Sequence, residues 1–460
     1  MKARELKELG IPADLCPRVL REAVASLKAG ATVDEVRAEL GELLARVPGP
    51  AEEGHFGWLV AELSKRERWE ERPAPAPWVQ WGKDLEASAL GQMAGATRLP
   101  IAWRGALMAD AHPGYGLPIG GVLATEEAVI PYAVGVDIAC RVKLSVLDID
   151  LASFEANPQR FERALEEETR FGIGANFQRR RNHAVMDQDW EVSPVTSRLK
   201  SKGWKQLGTS GSGNHFVEFG ELTLSAPDLG LEAGRYLALL SHSGSRGVGA
   251  AVANHYSKLA MASHPQLPPE LRHLAWLEMS SELGQEYWAA MELMGEYASA
   301  NHAVIHREIV RHLGAEVLAG VENHHNYAWK EVHDGKEVIV HRKGATPAGK
   351  GVLGVIPGTM ADPGYVVRGK GNALSLESSA HGAGRVMSRT RAKKTLKWGA
   401  FRQRLERQKV RLLSAGLDEA PDVYKNIEDV MRAQDDLVER VARFDPRMVK
   451  MAPAGEPAED

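Results

Sequence analysis

The sequence predicts an α+β protein: a large body whose distant segments meet at one cleft, preceded by a helical appendage. Three observations carry that expectation. Amphipathic helical periodicity fills the first stretch and stops at a charged, proline-alternating segment, Glu70-Glu71-Arg72-Pro73-Ala74-Pro75-Ala76-Pro77, which cannot continue a helix and favours extended geometry. After it, short apolar runs end repeatedly in glycine, serine and asparagine, interrupted by a helical pattern between Pro268 and Gly314. The residue types able to do chemistry lie at the ends of those runs, far apart along the chain, so one fold must gather them.

With 460 residues and 44% hydrophobic content, the chain can bury a large core. Its 57 Lys+Arg against 61 Asp+Glu leave a net charge of −4, so a nucleic-acid surface can exist only as a local patch. Cys16 and Cys140 are too few for a disulfide framework and fit a reducing cytoplasm. The start, Met1-Lys2-Ala3-Arg4-Glu5-Leu6, has no apolar export segment, and no run of about 18 apolar residues follows, so neither export nor a membrane span is expected.

Residues 14–28 and 33–46 read as two amphipathic helices. The second is opened by Thr32-Val33-Asp34-Glu35, which has capping-box spacing, and closed by Pro48-Gly49-Pro50. Cys16, among apolar neighbours in the first, is expected as a small buried hydrophobe. The resulting division is a helical extension over 1–72, a linker over 73–77 and a body over 78–460.

In the body, Asp110-Ala111-His112-Pro113-Gly114 puts an acid and a histidine two apart, on one side of an extended segment. A turn with a satisfied histidine is the commoner explanation of such a pair. In Val136-Asp137-Ile138-Ala139-Cys140, a carboxylate inside an apolar run must be paired or bound to a metal, which makes Asp137 and Cys140 candidate ligands. Gly211-Ser212-Gly213-Asn214-His215-Phe216-Val217-Glu218 and Ser241-His242-Ser243-Gly244-Ser245-Arg246 follow the same pattern. Leu274, Leu277, Leu283, Trp288, Met291 and Met294 are core positions of the helical stretch. Of the adjacent His324 and His325 only one can reach a shared site, because neighbouring side chains on a strand point to opposite faces. Arg342-Lys343 brings two cations to a loop, Gly358-Thr359-Met360 follows, and His381-Gly382-Ala383-Gly384-Arg385 leads into a basic run from Arg389. Its glycines let a phosphate approach main-chain N–H groups, and on a helix Arg385 and Arg389 would share a face.

Any one of these histidines is more commonly a satisfied core residue. Their repeated setting changes the balance: Asp137, Cys140, His215, His242, His325 and His381 all lie in small polar segments ending apolar runs. Mixed Asp/Cys/His ligation suits Zn²⁺, Mn²⁺ or Fe²⁺, for one ion or two. Arg246, Arg342, Lys343, Arg385 and Arg389 in the same segments point to a phosphorylated substrate.

Taken in order, Asp137-Ile138-Ala139-Cys140, Gly213-Asn214-His215-Phe216-Val217-Glu218, His242-Ser243-Gly244-Ser245-Arg246-Gly247, His325-Asn326, Arg342-Lys343-Gly344-Ala345 and His381 to Arg389 resemble the RtcB family of RNA ligases, from about Trp78 onward. The resemblance implies a mixed-sheet body around a deep central cleft, and a GTP- and manganese-dependent enzyme that joins an RNA 3′-phosphate or 2′,3′-cyclic phosphate to a 5′-hydroxyl. It implies Cys140 as a thiolate bridging two Mn²⁺ ions, with Asp137, His215, His242 and His325 completing their shells, and His381 as the nucleophile that takes guanylate from GTP. Asn214, Glu218, Thr359, Gly382, Ala383, Gly384, Tyr424 and Lys450 match guanylate-contacting positions. Arg246, Arg342, Lys343, Arg385 and Arg389 match RNA- or phosphate-holding ones. Broken RNA, of tRNA or rRNA origin, is the implied substrate, and an archease-type activator an implied partner.

The chain departs from the family pattern at Ala139 and Arg141, where glycines usually flank the cysteine, at Gly364, where a serine is expected, and at Pro113. Arg141 threatens to set a large cation beside the metals. Two other functions compete: a di-metal phosphodiesterase that never takes up guanylate, and a non-enzymatic RNA binder.

Overall fold

Apolar spacing before residue 64 folds into four helices, Ala3–Glu8, Cys16–Lys28, Val33–Ala45 and Gly57–Ser64. Leu6, Val19, Val36, Leu40, Phe56 and Val60 close a small core between them, and Cys16 is buried there as a plain hydrophobe. The capping box forms: Glu35 N–H donates to Thr32 Oγ1 at 3.3 Å, and Thr32 N–H donates to the Glu35 carboxylate at 2.7 Å. The computed structural model describes residues 2–12, 15–47, 54–64 and 72–457; Pro48-Gly49-Pro50 and Glu70-Glu71 lie outside them. The chain divides into two units, Met1–Glu70 with His264–Leu267, and Glu71–Ser263 with Pro268–Asp460. Within the second, Ala76 of the proline stretch is buried and its N–H donates to Thr97 O at 2.8 Å.

The second unit is a mixed α+β structure. Its strands are, in order, β1 (Trp78–Gln80), β2 (Ala102–His112), β3 (Ile119–Thr125), β4 (Ala128–Val129), β5 (Arg141–Leu147), β6 (Phe216–Leu224), β7 (Gly234–Ser243), β8 (Leu277–Glu278), β9 (Val317–His324), β10 (Asn326–His333), β11 (Lys336–Lys343), β12 (Ala345–Pro347), β13 (Leu353–Ile356), β14 (Gly364–Gly369), β15 (Ser378–Ala380), β16 (Arg411–Ser414) and β17 (Val438–Met451). One sheet has the order β1-β2-β3-β11-β10; the larger runs β13-β14-β17-β6-β7-β5-β9, with β16 beside β17. Alternation assigns the faces of the larger sheet. Val217, Phe219, Leu239 and Met448 pack with Phe161, Leu165, Ile305 and Ile309 of helices Pro158–Glu168 and Glu282–Leu313. Val142, Leu144, Leu222, Leu240 and Phe444 pack on the other side with Val355 and Val366.

The long helix starts later than the periodicity suggests. Ser281 caps it, accepting from Gly284 N–H at 3.0 Å, and Gly314 ends it at φ +59. Leu274 and Leu277 are buried ahead of the helix, in a 3-10 turn and in β8, while Leu283 on its first turn is half-exposed. Trp288, Met291 and Met294 are core. Among the described residues no helix is long and apolar enough to cross a membrane.

Two cations expected at the site serve the scaffold instead. Arg342 is 1% exposed: it forks onto the Glu331 carboxylate of neighbouring β10 at 2.6 and 3.0 Å and donates to Ser378 Oγ at 2.7 Å and Leu376 O at 2.8 Å. Arg141 sits on the face of β5 opposite Val142, where it pairs with Glu322 and donates to Gly295 O at 3.0 Å; it does not lie beside Cys140's thiol. Lys143, two residues on and so on the same face, reaches Glu322 at 2.7 Å. Breaking a buried pair strands its partner. Arg342→Ala is therefore expected to cost about 3 kcal/mol in urea unfolding, and a loss below about 1 kcal/mol would contradict this role.

Candidate active site

Neighbouring strands of the larger sheet end together. His215 immediately precedes β6, His242 is near the end of β7, Cys140 immediately precedes β5, and His325 follows β9. The ladder pairs Phe216 with His242, Val142 with His242, and Arg141 with His324, which brings these residues to one edge. Cys140 Sγ lies 3.1 Å from His242 Nε2 and 3.5 Å from His215 Nε2; His242 Nε2 is 3.2 Å from His325 Nε2, and His215 Nε2 is 3.2 Å from Asp137 Oδ2. Two ligand triads result, Cys140/His242/His325 and Asp137/Cys140/His215, and the thiol belongs to both. His324 turns away and stacks on Trp329 at 5.0 Å.

The surroundings prepare these groups as ligands. Carbonyls only accept, so the 3.2 Å contact between His242 Nδ1 and Asn214 O fixes the proton on Nδ1 and leaves Nε2 a lone pair facing the thiol. Burial holds His242 and His325 well below the usual imidazole range, so both are neutral, and His325 Nδ1 has no hydrogen-bond partner among the described residues. Burial pushes the Asp137 carboxyl up, but the hydrogen bond and charge of His215, with Arg246, bring it down to about 2. Asp137 also accepts from Ser245 N–H at 3.0 Å, and a Cβ on Gly244 would fall 2.1 Å from its carboxylate, so only glycine fits there. Ala139 adopts φ +56, the left-handed conformation a glycine would take without strain, and its N–H donates to Asn326 O at 2.7 Å. The mixed carboxylate, imidazole and thiolate donors fit a first-row divalent cation such as Zn²⁺ or Mn²⁺.

His381 stands against this cluster, its ring centroid 4.8 Å from that of His325. Asp110, fully buried on β2, accepts from His381 Nδ1 at 2.7 Å and from the N–H groups of His381 and Gly382 at 3.1 and 3.2 Å. In the neutral ring that contact fixes the proton on Nδ1 and leaves Nε2 with a lone pair. A Cβ on Gly384 would come within 1.9 Å of Asp110 O, so the loop needs glycine there. Reading the Asp-x-His pair as a turn missed Asp110; its signal was the alternation that puts Asp110 and His112 on one face. His112 lines the same pocket, lowered to about 4 chiefly by burial.

Counted together with the open solvent at its mouth, the pocket spans ≈ 1190 Å³. Asn214, Glu218, Thr359, Gly364, Gly382, Ala383, Gly384, Arg385 and Tyr424 line it together with the ligands, Phe216, Asp362, Glu419, Phe444 and Met451. Burial raises Glu218 well above the usual carboxylate range. Thr359 Oγ1 donates to Asp362 at 2.5 Å, and a Cβ on Gly364 would press on Pro357 Cα at 3.1 Å.

Other expected contacts go elsewhere. Lys450 pairs with Val217 on the helix-facing side of the sheet, because an irregularity between Pro446 and Met448 shifts the register; its ammonium donates to Leu165 O at 3.1 Å. Arg246 backs the cluster, 3.4 Å from His215 Nδ1, with its guanidinium against Gly211. Lys343 is buried, donates to Tyr115 O at 2.5 Å, and burial lowers it to about 7. Arg385 precedes the helix Arg389–Thr395 rather than sharing a helical face with Arg389, yet both reach Glu419. Tyr424 donates to the same carboxylate.

Most of the chain is similar to known proteins. The family described as tRNA-splicing ligase RtcB matches residues 92–193 and 182–451. RNA-splicing ligase RtcB of Escherichia coli K12 is 33% identical over 400 residues, covering 79% of this chain and 94% of its own. The tRNA-splicing ligase RtcB of Archaeoglobus fulgidus is 32% identical over 454 residues, covering 81% and 91%.

The shared thiol gives the site a distinguishing behaviour. If each triad holds a divalent cation, then after loading and dialysis Cys140→Ala is expected to lose both by elemental analysis, whereas His215→Ala loses one and keeps the other. Equal losses in the two variants would mean that the triads do not share a ligand.

Proposed function

The chain belongs to the RtcB family, and on that premise we propose that it is an RNA ligase joining an RNA 3′-phosphate or 2′,3′-cyclic phosphate to a 5′-hydroxyl, with GTP and two Mn²⁺ ions. The observation that carries the reading is the Asp110–His381 pair, which engages Nδ1 and keeps the imidazole in the wall of a pocket beside the cysteine-centred cluster.

His381 Nε2 forms a bond to the α-phosphorus of GTP as the bond to the bridging oxygen breaks, and pyrophosphate leaves with that electron pair. Asp110 keeps its hydrogen bond to Nδ1 and offsets the positive charge that develops on the ring. An oxygen of the RNA 3′-phosphate then takes the guanylate, and the N–P bond breaks to return His381. The 5′-hydroxyl oxygen attacks the activated 3′-phosphate, its proton passes to solvent, and GMP leaves with the electron pair of the broken P–O bond; a cyclic phosphate is first opened by water. Asp137, Cys140, His215, His242 and His325 would hold Mn²⁺, which supplies Lewis-acid stabilisation of phosphate charge. Glu218, buried with no other hydrogen bond among the described residues, suits the N–H donors on the guanine edge. Asn214, Thr359, the Gly382–Gly384 loop and Tyr424 complete the guanylate site.

The substrate is broken RNA, tRNA among the candidates, in a reducing cytoplasm that keeps Cys140 a thiol. Residues 1–72 form an extension outside the ligase domain, consistent with a family match that begins at residue 92. Incubation with Mn²⁺ and α-labelled GTP is expected to leave an acid-labile label on the wild type and none on His381→Ala. Asp110→Asn should slow labelling by about 10² to 10⁴. Phosphate release from cyclic ends with no label at all would favour a di-metal phosphodiesterase instead.

A further inference from the structure

Between Arg385 and Arg411 the chain carries eleven Lys and Arg against a single acid, Glu406, although the whole protein is net negative at −4. The segment folds as the helices Arg389–Thr395 and Trp398–Arg407, which turn Ala392, Phe401 and Leu405 inward and most of the charge outward. Some of these cations are neutralised: Arg385 and Arg389 by Glu419, Lys393 by Asp418, Arg404 by Asp362 and Asp422. Arg391, Lys394, Lys397 and Arg402 are exposed and make no ion pair among the described residues. A surface helix ordinarily interleaves both signs, so an unrelieved basic face costs stability through self-repulsion that a polyanion would remove.

Two further features give the face a direction and a chemistry. It begins at the pocket wall, because Arg385 and Glu419 line the pocket and Arg389 pairs with Glu419. Beside it runs a groove lined by Trp398, Arg402, Leu405, Leu412 and Pro453, with the Arg402 guanidinium 5.7 Å from the centroid of the Trp398 ring. An aromatic plane edged by an arginine on a cationic track suits an unpaired base and its phosphates.

We propose that this face is the track along which the RNA strand leaves the pocket, with Arg391, Lys394, Lys397 and Arg402 on its phosphates and Trp398 beneath a base. The inference rests on the RNA-ligase reading. Its test is fluorescence anisotropy of the full chain with a labelled single-stranded RNA carrying a 3′-phosphate, across a salt series. Each single change to Gln at the four cations is expected to lower the slope of log affinity against log salt by about 0.7, and the four together by about 2 to 3. Trp398→Ala should weaken binding about 10-fold or more while leaving the slope alone. Wild type that ligates RNA while the fourfold variant keeps its slope overturns the track and spares the ligase reading. Wild type that neither takes guanylate nor binds the RNA overturns both.

Discussion

Hydrogen-bonded registration of β7, β5 and β9 is the constraint on which the site depends. Strands in a ladder lie about 4.8 Å apart, so side chains at matching ends of adjacent strands arrive within a few ångströms of one another without any loop having to be held in place. β5 is the middle strand of the three, and this is why the cysteine at its start is the atom both triads have in common. The histidines from β7 and β9 approach it from either side, while Asp137 and His215 complete a second set from the loop before β5 and the start of β6. Precision comes from the sheet and chemical variety from the residues at its rim.

The five-stranded sheet and a separate two-stranded one contribute the other half: Asp110 stands on β2 of the first, and β12 pairs with β15 in the second to deliver the loop that carries His381. His381 and the carboxylate that orients it therefore come from elements 271 positions apart in sequence, joined by three hydrogen bonds to one carboxylate oxygen. Such a site cannot be assembled piecemeal, because neither sheet alone holds both the cluster and the imidazole.

What could be read from the sequence follows from which physical rules are local. Period-two alternation separated His325 from His324, and the isolated carboxylate in an apolar run marked Asp137; both are properties of one segment. Capping at Thr32 was equally local. The fates of Arg342, Arg141 and Lys450 were not legible, because each depends on strand pairing. Glu331 reaches Arg342 only through the β10–β11 register, Glu322 reaches Arg141 and Lys143 only because β9 lies beside β5, and the irregularity in β17 decides which face Lys450 takes. Asp110 was visible as a motif, but its partner lay on a different sheet. The late start of the long helix reflects Ser281, whose capping competes with a hydrophobic pattern that continues upstream.

Sharing one sulfur between two triads also makes the centre chemically all-or-none. Conversion of the Cys140 thiol to a sulfenic or higher acid would change a donor in both triads at once, so one oxidation event is equivalent to two lesions. Cys140 is only 4% exposed, and the surrounding imidazoles and the Asp137 carboxylate shield it further. The burial that makes it a good shared ligand is thus also its protection against peroxide, and its resistance to oxidation rises and falls with how tightly the rim of the sheet stays closed.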